Sequence, residues 1–155
     1  MASQTHVYPV VVNWNGGRDG AGDITPAHSG KTIPINVPPE FNGPGGETNP
    51  EELLTSAVAG CYTITAGIVL TNRRLPLVGI RTEVEGQVDQ QGTNFTYKSI
   101  RLRPTITLEA GATDEQVAQA EEMAHKADAY CIVSNAVRGK VEITIEPTVI
   151  RSSGL

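Results

Sequence analysis

One hundred and fifty-five residues are enough for one domain with its own core, and no repeat, linker or low-complexity run divides them, so a single domain over 1–155 is expected. Twelve basic and 17 acidic residues give a net charge of −5, with no basic stripe and 5% aromatics, which argues against a nucleic-acid surface. The N-terminus has no basic start, and Pro9 interrupts the apolar run from Val7 to Val12; neither a signal peptide nor a membrane span is expected there, and the chain reads as cytoplasmic.

Thr5 to Trp14 is rich in valine and reads as a strand. It runs into Asn15-Gly16-Gly17-Arg18-Asp19-Gly20, a turn by its local signals. Lys31 to Val37 reads as a second strand, kept at a sheet edge by Pro34. Pro38 to Thr48 holds three prolines and three glycines and reads as a loop with a job. Within it Gly43-Pro44-Gly45-Gly46 lacks the lysine of a phosphate loop and is taken as a flexible rim.

The stretch Asn49 to Arg74 is the helix around which the chain is organised. Asn49 serves as N-cap, Pro50 fits the first helical position, and Glu51 and Glu52 place negative charge on the first turn. Leu54, Ala57, Val58, Cys61, Ile64 and Ile68 recur at helical spacing. Ala59, Gly60, Ala66, Gly67 and Val69 leave the opposite side hardly polar, as in a helix that other elements wrap closely. Arg73 and Arg74 are placed to meet its C-terminus.

Val78, Ile80, Thr82, Val84 and Val88 then alternate with Arg81, Glu83, Glu85, Gln87 and Asp89, the pattern of a half-buried strand. After a turn at Gln90 to Asn94, Phe95 to Leu108 returns with Ile100, Leu102, Ile106 and Leu108 inward. Pro104, read as outward, puts this strand at an edge or a bulge. Thr113 to Gln116 is a capping box opening a second helix, whose apolar face runs through Val117, Ala120, Ala124 and Ala127 to Cys131. Val141, Ile143 and Ile145 mark a last strand. Blocks of strands and helices argue α+β, antiparallel sheet on buried helices. Helices this apolar find little in one short chain to cover both sides, so a homodimer is expected.

The two cysteines, Cys61 and Cys131, fall on apolar helix faces, and under reducing conditions such a pair is either inert core or redox-active. Arg18 and Glu51, taken singly, read as a solvated turn residue and a complement to the helix dipole. His6, His28 and His125 show no metal-binding spacing, so no metal or cofactor is expected. Tyr62 and Tyr130 flank the cysteines and either line an apolar pocket or simply pack.

Together these segments resemble the OsmC/Ohr family, the osmotically induced and organic-hydroperoxide-resistance proteins. Asn49-Pro50-Glu51-Glu52-Leu53-Leu54 leading to Gly60-Cys61 is similar to the motif around that family's reactive cysteine. The segment from Cys131 to Lys140 is similar to that around its second cysteine, and Gly16 to Gly20 to the turn carrying its catalytic arginine. Order and spacing fit over essentially the whole chain. Two features depart: Ile132 follows Cys131 where a proline is expected, and Gly79 to Leu108 looks like the OsmC branch while both ends look like Ohr.

The resemblance implies an OsmC-like fold, antiparallel sheets around two long buried helices in an intertwined homodimer. It also implies a thiol-dependent peroxidase for alkyl or fatty-acid hydroperoxides, with Cys61 attacking, Cys131 resolving, and Arg18 and Glu51 completing the site. The reductant would be an external dithiol such as a lipoyl group.

Elementary chemistry supports those roles. A free thiol of pKa about 8.5 is only about 3% thiolate at neutral pH. A fall of about two in pKa, worth about 2.7 kcal/mol, makes roughly three quarters of it thiolate. A guanidinium about 4 Å away supplies up to about 4 kcal/mol at an effective dielectric of 20. Burial acts the other way, so Cys61 needs a cation; Arg18 is the candidate, with Glu51 gripping its fork.

Ten helical residues separate Glu51 from Cys61 by about 15 Å and roughly 80° of rotation, so the two converge only across a dimer interface or through a break near Gly60. Cys131, closing its helix at the negative end of the dipole, suits the resolving step. An alternative from another class keeps the same fold: a dimeric, non-catalytic binding module for a small apolar ligand, which the missing proline after Cys131 would favour.

Overall fold

The computed structural model describes residues 1–154. Over these the chain runs β1 (Val10–Asn15), β2 (Ala21–Pro26), β3 (Ile33–Ile35), α1 (Pro50–Asn72), β4 (Leu77–Gln91), β5 (Asn94–Leu108), α2 (Asp114–Ala127), α3 (Ile132–Val137), β6 (Glu142–Ile145) and β7 (Thr148–Arg151). It packs as two compact units divided after Leu53.

The first unit is an antiparallel sheet in the order β1-β2-β3. Gly16, at φ +96, opens the β1–β2 turn, and the Gly20 N–H donates to the Gly17 carbonyl at 2.9 Å to close it. The strand begins only at Val10, after Pro9, and its valines Val10, Val11 and Val12 stay exposed. β3 ends the strand order of this sheet, a position that tolerates Pro34. The glycine-rich loop is not a free rim. Asn36, buried, donates from Nδ2 to the Gly45 carbonyl at 2.6 Å, and the Gly45 N–H donates to the Val37 carbonyl at 3.1 Å, folding the loop onto β3.

α1 starts as its sequence dictates: Asn49 Oδ1 accepts the Glu52 N–H at 2.9 Å. It ends with Arg74 in the left-handed region (φ 58), the Leu75 N–H reaching the Leu70 carbonyl at 3.2 Å and the Arg74 N–H the Thr71 carbonyl at 2.9 Å. The buried stripe is Val58, Ala59, Tyr62, Ala66 and Leu70. That is rotated from the expected face, since Ile64 and Ile68 are 67% and 54% exposed. A helix apolar nearly all round gives periodicity nothing to choose by. The choice is made by packing and by the Tyr62 hydroxyl, which needs the Ala124 carbonyl 2.7 Å away.

At 23 residues with mean hydropathy 1.8, α1 is also long and apolar enough to cross a membrane. Its Thr63 hydroxyl instead meets that of Thr82 in β4 at 2.7 Å, and its buried stripe belongs to the core of the second unit.

That unit's sheet has β5 at its centre. β4 pairs with it antiparallel, while β6 and β7 pair with it in parallel, in tandem along its other edge. Ile100, Leu102, Pro104, Ile106 and Leu108 are all buried. Pro104 is thus inward and central, not outward and marginal; it shares the parity of the leucines and isoleucines around it. Its missing N–H is accommodated because the parallel ladder breaks there, β6 pairing up to Leu102 and β7 starting at Thr105. Val78 is exposed because a register shift between Leu77 and Gly79 turns it out of the alternation. α2 opens with the capping box, Thr113 Oγ1 accepting the Gln116 N–H at 3.2 Å and Gln116 Oε1 the Thr113 N–H at 2.9 Å.

Candidate active site

α2 stops at Ala127, one turn before Cys131. A 3-10 turn over Asp128–Tyr130 intervenes, and Cys131, extended at φ −73 and ψ 111, caps α3. The expectation that Cys131 closes a helix is therefore corrected: it opens one. Periodicity continued through the turn because a 3-10 segment keeps nearly the same spacing.

The segment is clamped. Arg138 donates to Asp128 Oδ2 at 2.8 Å and to Asn135 Oδ1 at 3.2 Å, and Asn135 Nδ2 donates to the Ala129 carbonyl at 2.9 Å.

Cys61 lies midway along α1, half-buried, and packs against the core cluster that contains the fully buried Cys131. Both thiols are free. Burial pushes Cys61 up, but the Val133 N–H, the Cys131 thiol, the Thr65 hydroxyl and the Ile132 N–H together outweigh it, and its pKa falls below the ordinary thiol value. Cys131 moves the other way. Burial raises it, the Ser134 hydroxyl and N–H oppose this, and the neighbouring Cys61 adds to the rise.

The pair is chemically asymmetric: the more exposed sulfur is the better thiolate, and the buried one is held as a thiol. Peptide-resolved alkylation by iodoacetamide across pH should show it. Cys61 reacts with a midpoint below that of an ordinary thiol and Cys131 with one above; the reverse order would contradict the assignment.

The donors around Cys61 were not legible from composition. Thr65, four residues on along the helix, has a spacing that could have revealed it. The Val133 and Ile132 amides have no sequence signature, and Ile132 has an N–H only because it is not proline.

Arg18 and Glu51 belong to the first unit. Arg18 is exposed in the β1–β2 turn. Glu51, in the first turn of α1, lines a cavity of ≈ 250 Å³ with Trp14, Ile35, Val37, Pro38 and Phe41. α1 runs without interruption through Gly60, so no break there lets Glu51 and Cys61 of one chain converge. Tyr62 is a packing residue, while Tyr130 is 67% exposed. Among the described residues no group of three or more His, Cys, Asp or Glu side chains is arranged to hold a metal ion.

The chain matches the model of the OsmC-like protein family over residues 43–146. It is similar to the uncharacterized protein YmaD of Bacillus subtilis, 37% identical over 145 residues that cover 93% of this chain and 95% of that protein. It is also similar to the organic hydroperoxide resistance protein OhrB of the same organism, 27% identical over 144 residues, 90% and 97% of the two chains. Among solved structures, an organic hydroperoxide resistance protein OsmC from Legionella pneumophila superposes with a TM-score of 0.74 at 25% identity, covering 94% of this chain and all of that one (100%).

Proposed function

The chain belongs to the OsmC-like family, and from that premise we propose that it is a cysteine-based, thiol-dependent peroxidase that reduces organic hydroperoxides to alcohols. Relatives bearing the name organic hydroperoxide resistance protein support a role in hydroperoxide resistance. The observation that carries the finer reading is the asymmetric thiol pair, Cys61 below the ordinary thiol range and Cys131 above it within one cluster.

The Cys61 thiolate attacks one peroxide oxygen, the O–O bond breaks, and the alkoxide leaves to be protonated as alcohol, giving Cys61 sulfenic acid. The amides at the start of α3 and the Thr65 hydroxyl stabilise the thiolate. Cys131 then forms a disulfide with Cys61 and water leaves. An external dithiol, a lipoyl group or a similar small thiol, reopens it by two exchanges.

On the motif we assign to Arg18 the guanidinium that stabilises charge developing on the peroxide, and to Glu51 the task of aiming it. With α1 unbroken, Glu51 of a second copy is the one that would serve a given Cys61. A homodimer also accounts for the exposed Ile64 and Ile68 on α1. The apolar cavity beside Glu51 suits the organic part of the substrate. The chain acts, on this reading, in the cytoplasm without a bound cofactor.

Steady-state turnover tests it. Dihydrolipoamide should sustain reduction of cumene hydroperoxide with a kcat/KM at least about tenfold above that for hydrogen peroxide, as an apolar pocket discriminates. Peroxide left intact with every dithiol would overturn the reading.

A further inference from the structure

We propose that Ser134 is a further catalytic residue, its buried hydroxyl serving as a donor to the Cys131 sulfur whenever that sulfur is anionic. This rests on the peroxidase reading and gives a role to a residue inside the Cys131–Lys140 segment which that reading left without one.

Ser134 is fully buried, and its Oγ has no hydrogen-bond partner among the described residues. The first turn of α3 fixes where it sits. Its N–H donates to Cys131 Sγ at 3.4 Å, which holds the residue against that sulfur, and its hydroxyl acts to favour the thiolate. A helical serine commonly returns its hydroxyl to the carbonyl four residues back, and here no such bond satisfies it.

A buried hydroxyl without an acceptor weakens a fold, and alanine has the better helix propensity, so stability alone gives no reason for serine here. The neutral thiol beside it is a weak acceptor, whereas a thiolate is a strong one. The interaction therefore strengthens in states where Cys131 carries charge. That is the requirement for a group that speeds a step without stabilising the resting enzyme.

Two steps pass through such a state. In resolution, the Cys131 thiolate attacks the sulfenic sulfur of Cys61: the S–S bond forms, the S–O bond breaks, and the departing hydroxide takes up the proton Cys131 released, giving water. In reduction, a thiolate of the external dithiol attacks the disulfide at Cys61, the more exposed sulfur. The S–S bond breaks, Cys131 leaves as thiolate, and it is then protonated. Burial disfavours that anion, and the Ser134 hydroxyl opposes it.

The test compares the full-length wild type with Ser134→Ala, each mixed with one equivalent of cumene hydroperoxide from neutral to alkaline pH. Sulfenic acid is trapped with dimedone and disulfide is followed by mass. The expected result is unchanged formation of sulfenic acid, with disulfide forming about tenfold more slowly at neutral pH, the effect of one charge-assisted hydrogen bond. The two rates should converge in alkali, where Cys131 ionises unaided, and the variant's melting temperature should equal or exceed that of the wild type.

Equal disulfide rates and equal pH midpoints in the two proteins would overturn the proposal, as would a deficit of the same size at every pH. A wild type that keeps both thiols free overturns the peroxidase reading itself, a different and separately visible outcome.

Discussion

Cys61→Ser should reduce peroxide consumption to the uncatalysed background, a loss of roughly 10⁴-fold or more, as for removal of the nucleophile in other covalent enzymes. The reason is electronic. A serine hydroxyl does not ionise near neutral pH and lacks the high-lying, polarisable lone pair that a thiolate gives to a peroxide oxygen, whatever donors surround it. The fold should survive, because Cys61 is half-buried and the substitution is nearly isosteric, so stability changes by about 1 kcal/mol or less. Peroxide decay following the alcohol product by chromatography, with circular dichroism as the control on folding, checks both parts. Residual activity above a tenth of the wild type would place the first attack elsewhere.

Cys131→Ser should behave differently. The first turnover should proceed within about threefold of the wild-type rate, since a serine hydroxyl still offers Cys61 a donor in place of the thiol. Cycling should then fall by at least about a hundredfold with a dithiol reductant, because no second sulfur closes the disulfide. The sulfenic acid persists and, under excess peroxide, advances to sulfinic acid, which is not recovered by thiols. Serine is a better N-cap than cysteine, so α3 should form as before. Mass spectrometry after one equivalent and after excess peroxide reads each state. Loss of the first turnover equal to that in Cys61→Ser would contradict the order of attack.

Much of the frame is legible in the sequence. The cap at Asn49, the capping box at Thr113 and the alternation from Ile80 to Glu85 in β4 each express a local rule that the rest of the chain does not override. Three features were not legible, each for a physical reason. The buried side of α1 is not legible because both sides are apolar, and packing together with the Tyr62 hydroxyl-to-carbonyl bond settles what the pattern leaves open. Proline at position 104 suggests an edge, whereas here the ladder on one side of β5 is interrupted where the N–H is missing. The helix break before Cys131 was hidden by a 3-10 turn that continues the apolar spacing.

That last point changes the chemistry. The sequence suggests that a cation must lower the Cys61 pKa, with Arg18 as the candidate. In the structure, backbone amides at the start of α3, a thiol and a threonine hydroxyl already act in that direction. On the proposed reading Arg18 serves the charge that develops on the peroxide, so Arg18→Lys, retaining charge but losing the planar fork, is expected to affect turnover more than thiol ionisation.

The thiol count after a single equivalent of oxidant bears on all of this most directly. Reduced wild-type protein is mixed with one equivalent of cumene hydroperoxide, quenched by alkylation, and mapped by peptide mass. The prediction is loss of both free thiols into one Cys61–Cys131 disulfide, with one equivalent of cumyl alcohol released. Two alkylated cysteines beside unreacted peroxide would contradict it.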